Sequence, residues 1–156
     1  MRKTKNTGGE ILDKTNFFLE AIDRTLSYIY IQRRYDLIRL FSDKRYKVVI
    51  LYTVMRYYYQ KILNYKKFDF IPTKENFYTH LYRDTSRLSL TKFIDLMVST
   101  GVLKKEFFPN DKRIWIISPT QILINEFESM HQERAEGLEE LKSEKKTISL
   151  KSLQVI

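Results

Sequence analysis

The residues best equipped for chemistry fall in residues 86–92, where Ser86, Arg87, Ser89, Thr91 and Lys92 follow one another with only Leu88 and Leu90 between them. Hydroxyls and cations of this kind bond base edges and phosphate oxygens, and here they interleave with Leu90, Phe93, Ile94 and Met97, whose helical spacing marks a buried face. The polar set therefore points outward from a helix. Lys104 and Lys105 come shortly after and suit phosphate contacts, although isolated lysines are usually just solvated. Catalysis has no such basis. There is no G-x-S-x-G, no Gly-rich loop ending in Lys-Ser or Lys-Thr, and no His-carboxylate-nucleophile group readable from spacing. With no cysteine, and with His80 and His131 outside any ligand-spaced cluster, we expect no metal site, no cofactor and no enzyme.

These residues need a frame, and the surrounding sequence supplies its outline. Pro72 closes an extended stretch, Thr73 is placed to cap a short helix through Leu81, and residues 83–85 make a turn. The polar-faced helix then runs over about residues 86–100 and ends at Gly101, where positive φ is free of steric cost. Residues 102–108 and 112–118 read as two strands around Pro109-Asn110-Asp111, after which Thr120 caps a last helix carrying Ile122, Leu123, Phe127 and Met130. Upstream, apolar residues at threes and fours predict a helix over residues 10–40, broken near Arg33-Arg34, and a broadly apolar central helix over residues 44–67. The order predicts a mainly α fold with a small β-hairpin wing: a winged helix-turn-helix.

The stretch over residues 86–120 resembles the MarR family of regulators in a single ungapped register. The family's Thr-Val-Ser-Arg falls on Ser89, Leu90, Thr91 and Lys92, its helix Asp on Asp95 and its glycine on Gly101. Its wing Asp-x-Arg falls on Asp111-Lys112-Arg113, and its closing Ser-x-Thr on Ser118-Pro119-Thr120. The resemblance implies that Arg113 is a wing-tip arginine entering a minor groove, that Asp111 orients it, and that Arg87, Ser89, Thr91, Lys92, Lys104, Lys105 and Lys112 join it in contacting DNA. It also implies N- and C-terminal helices that intertwine two chains into a homodimer, and a small aromatic effector. Tyrosines of the central helix could line a pocket for such an effector, and could equally pack a core.

The chain has 156 residues, enough for one domain, with 43% apolar residues to fill its core. We expect a flexible tail at residues 1–9, a winged-helix domain with flanking dimerisation helices at 10–142, its DNA-reading part at about 73–118, and a second flexible tail at 143–156. No apolar run approaches the ~20 residues of a membrane span and no apolar segment follows the N-terminal charges, so a cytoplasmic location without membrane contact is expected. The net charge of +9 is uneven: residues 24–67 hold eleven Lys or Arg against Asp36 and Asp43. Such a block can flank phosphates, or can merely be a solvated helix surface. Tyr57-Tyr58-Tyr59 invites base stacking, yet consecutive helical positions diverge, so at least one of the three belongs to the core.

Together these readings predict a sequence-specific double-stranded-DNA-binding transcriptional regulator, homodimeric on a palindromic site. The alternatives are a winged-helix replication or architectural DNA-binding protein, and a winged helix used as a protein-interaction module. Ile22, Leu26 and Ile29, with Leu123, Phe127 and Met130, are expected to form the dimer interface.

Overall fold

In the computed structural model, which describes residues 7–153, the elements in chain order are α1 (Thr7–Gln32), α2 (Asp36–Arg39), α3 (Arg45–Ile62), α4 (Lys74–Leu81), α5 (Arg87–Ser99), β1 (Leu103–Phe108), β2 (Asp111–Pro119) and α6 (Gln121–Leu153). They divide into two units, Tyr35–Ser129 and a pairing of the chain's two ends up to Arg34 and from Met130.

In the Tyr35–Ser129 unit the helix boundaries follow from local chemistry. Thr73 and Ser86 both hold extended backbone, and their hydroxyl oxygens accept from the N–H groups of Asn76 and Ser89, so α4 and α5 each start on a side-chain cap. Gly101, at φ 78°, ends α5: its N–H reaches the Val98 carbonyl and that of Val102 the Met97 carbonyl, the paired bonds of a Schellman motif. Asn64, at φ 56°, ends α3 in the same way, with Asn64 N–H on Lys61 and Tyr65 N–H on Gln60. This stop comes earlier than the helix over residues 44–67 read from the sequence, because asparagine tolerates the left-handed conformation that closes the motif.

The hairpin places Phe107 opposite Trp115 and Lys105 opposite Ile117, with a bulge between Phe107 and Phe108 and a two-residue loop at Pro109 and Asn110. Within β2 the Ile117 N–H donates to the Pro72 carbonyl, which docks the extended stretch on the sheet. Thr120 donates its hydroxyl to the carbonyls of Gly101 and Val102, both at 2.8 Å, drawing the two ends of the hairpin together.

One part of the core forms around α5, whose Leu90, Phe93, Ile94 and Met97 are buried. The Phe93 ring meets Phe41 and Tyr46 edge-on at 5.4 and 6.0 Å. Each such buried side chain is worth about 1.5–3 kcal/mol, which is what sustains a helix too short to be stable alone. Tyr57 of α3 is the second centre, packed with Phe108 and Ile116 and flanked by Phe68, Ile71 and Ile114. Base stacking by Tyr57 is thereby excluded, while Tyr59 donates to Glu128 at 2.7 Å.

In the other unit Arg34 pairs with Glu133, and the Arg134 guanidinium lies 4.8 Å over the Tyr28 ring. Along α1, Ile11, Leu12, Phe17, Phe18, Leu19, Ile22, Leu26, Ile29 and Tyr30 are exposed. Leu123, Phe127 and Met130 are not: burial within this chain, including a Phe127 contact with Tyr52 at 5.4 Å, removes them from the interface expected from sequence. Residues 7–9 belong to α1 and residues 143–153 continue α6, so helix extends into both stretches read as tails; residues 1–6 and 154–156 lie outside the described residues.

Candidate nucleic-acid interface

Arg113 is held by Asp111 through three bonds, from its backbone N–H at 3.1 Å, Nε at 3.0 Å and Nη2 at 2.8 Å. The Asp-x-Arg spacing permits this because residues two apart at the start of β2 point to the same side of the strand, which brings the guanidinium back over the carboxylate. The Arg113 side chain nevertheless remains 89% exposed, and its bonds hold the Asp111 carboxyl below the usual carboxylate range. A cation fixed in direction but still bare suits insertion into a narrow groove.

On α5, Arg87, Ser89 and Lys92 are exposed and Thr91 is half-buried. Only Lys92 is a simple outward cation. Arg87 turns back onto α4, where it grips Glu75 through two bonds at 2.9 and 3.0 Å and covers the Tyr78 ring at 4.0 Å. Ser89 accepts from the Ser86 hydroxyl at 3.0 Å and so shares in the start of α5. Asp95 bonds Lys74 and lies 4.0 Å from Lys105, linking α5 to α4 and to the wing. Leu88 and Leu96, both exposed, complete the outward face.

The wing is anchored from behind. Glu106 accepts from Ser118 at 2.6 Å and from Lys61 of α3 at 2.9 Å, with Lys104 3.6 Å away. Burial works to raise the Glu106 carboxyl, but these donors outweigh it and hold it below its usual value. Lys104 is therefore partly engaged, Lys112 is exposed, and Arg113 stands at the far end. Phe107 and Trp115 are each 51% exposed and were not singled out from sequence.

The basic block of residues 24–67 is largely neutralised, mostly by carboxylates from outside it. Seven of its eleven cations pair with a carboxylate: Arg24 with Glu20, Arg34 with Glu133, Arg39 with Asp36, Arg45 with Asp84, Lys47 with Asp43, Arg56 with Asp69 and Lys61 with Glu106. Among the described residues no group of three His, Asp or Glu side chains is arranged to hold a metal, and no helix is long and apolar enough to cross a membrane.

A short helix, a turn, a capped second helix and a twisted hairpin in this order constitute the winged helix-turn-helix fold. The chain shares that fold with the transcriptional regulator Tm0710 of Thermotoga maritima, at a TM-score of 0.50 and 16% identity over 96% of this chain and 91% of that one. The haem sensor protein PefR of Streptococcus agalactiae, solved in complex with haem, aligns at a TM-score of 0.43 and 17% identity over 94% and 92%. ZitR of Lactococcus lactis aligns at 0.34 and 20% identity over 67% and 70%. No family model and no curated protein matches the sequence.

Proposed function

We propose that the chain is a cytoplasmic, MarR-type transcriptional regulator that binds double-stranded DNA sequence-specifically, as a homodimer on a palindromic site. The observation that carries this reading is the exposed Arg113 tethered to Asp111 at the tip of a hairpin, on a fold whose adjoining helix turns Lys92 outward. Lys92, Lys105, Lys112 and Arg113 supply phosphate and groove contacts; Ser89 and Thr91 lie where base edges would be read. Arg87 and Lys104 join them once released from Glu75 and Glu106.

Dimerisation is supported by the nine large apolar side chains exposed along α1, a surface that a second copy would cover. An interface of obligate size buries more than about 2,000 Å² in total. A pocket of about 350 Å³ lined by Thr53, Arg56, Tyr57, Gln60, Asp69, Phe70 and His80 is of a size to take a small aromatic effector.

Selection of bound fragments from random duplex DNA tests the reading directly. A two-fold symmetric consensus is expected. An enriched asymmetric site removes the homodimer, and no enrichment at any salt concentration removes sequence-specific binding.

A further inference from the structure

The β1–β2 hairpin has two faces with different fates. Strand alternation puts Glu106, Phe108, Ile114 and Ile116 on one, where Glu106 meets α3 through Lys61 and the three apolar residues pack with Tyr57. The opposite face carries Leu103, Lys105 and Phe107 on β1 and Arg113, Trp115 and Ile117 on β2. Its base is filled, since Leu103 and Ile117 are buried and β1 packs on α5. Its outer half is bare. There Phe107 and Trp115 sit directly opposite each other, ring centroids 4.0 Å apart and tilted by 34°, each still 51% exposed.

A cross-strand aromatic pair helps to hold a hairpin together, but that needs only the contact between the rings and leaves their outer surfaces without use. The neighbours give those surfaces a partner. Lys105 precedes the pair, its ammonium 4.0 Å from Asp95 on the exposed side of α5, and Arg113 follows it, tethered to Asp111. An apolar patch bounded on both sides by cations, continuous with the outward face of α5, matches a polyanion whose sugars and bases offer apolar area between phosphates.

We propose that Phe107 and Trp115 form an apolar contact element that enters the minor groove of duplex DNA beside Arg113, packing on deoxyribose and base edges. This rests on the DNA-binding reading above and extends it to residues whose contribution involves no charge. Wing cations give affinity that falls with salt, whereas the aromatic pair gives affinity that does not, because it displaces no counterions.

Trp115 is the chain's one tryptophan, so its fluorescence reports this site alone. The full chain is titrated with a short A·T-rich duplex, following anisotropy of a label on the DNA and, separately, acrylamide quenching of Trp115. Wild-type protein should show Trp115 protected from acrylamide at saturation. Trp115→Ala and Phe107→Ala should each weaken binding about tenfold. For these variants the plot of log Kd against log salt should run parallel to wild type, while Lys112→Ala flattens it. Should either variant unfold, the wild-type quenching measurement stands by itself. Trp115 equally quenched with and without bound DNA overturns the proposal, as does protection accompanied by unchanged affinity in folded variants. Either result leaves DNA binding by the chain intact. Absence of any anisotropy change at low salt instead removes the DNA-binding reading and this proposal with it.

Discussion

The Arg87 guanidinium and the Glu75 carboxylate form a two-bond pair across the turn between α4 and α5, with Arg87 at the first position of the polar-faced helix. The pair links α4 to the start of α5, and hydrogen bonding from Arg87 lowers the Glu75 pKa. It also sets a competition, since a phosphate could take the place of Glu75. Glu75→Gln should release Arg87, tighten duplex binding at low salt, and steepen the dependence of log Kd on log salt by about one unit. An unchanged slope in anisotropy titrations would show that Arg87 is a positioning residue only.

Arg113→Ala should weaken duplex binding about tenfold or more without a change in melting temperature, because its side chain is 89% exposed. Asp111→Asn keeps the cation but loosens its tether, so a smaller loss is expected. Equal affinities for all three proteins in gel-shift titrations would place the wing away from DNA.

Acid stability should depend on Glu106. Its folded pKa lies below the ordinary value of 4.5, so its ionised form contributes stability that is complete above pH 4.5 and is lost as pH falls through the folded value. Glu126 has the opposite sign: burial raises it, against the Leu37 N–H bonds, so its contribution is present below pH 4.5 and is lost as pH rises through its folded value. In urea titrations between pH 3 and 6, Glu106→Gln should be less stable than wild type at the upper end and converge with it at the lower. A constant offset would place the effect in packing rather than in charge.

Gly101→Ala tests the end of α5. A Cβ there would meet nothing within 4 Å, so the cost is the left-handed backbone alone, about 1–2 kcal/mol in urea unfolding. A neutral substitution would mean that the turn relaxes.

Dimerisation through α1 should make folding depend on protein concentration, with a melting temperature that rises on dilution's reverse, concentration. Ile22→Glu and Leu26→Glu, at positions 53% and 44% exposed, should give monomers by sedimentation. Wild-type protein that remains a folded monomer at micromolar concentration would refute the assembly.

Helix starts at Thr73 and Ser86, the stop at Gly101, the buried face of α5 and the hairpin after it were legible in the sequence, because each is decided within about four residues by a cap, a left-handed turn or a period. The stop of α3 at Asn64 is equally local, but asparagine marks it less plainly than glycine does. The partners were a different matter. Arg87 meets a carboxylate twelve positions away, Lys61 one forty-five away, and Leu123, Phe127 and Met130 are buried within their own chain. Which acid neutralises which cation, and which apolar stripe stays bare, depends on how helices pack and how strands register. The same holds for the wing: alternation alone tells that Phe107 and Trp115 each face one side of a strand. Only the two-residue loop and the bulge at Phe107 and Phe108 set them opposite each other on the side that α3 leaves open.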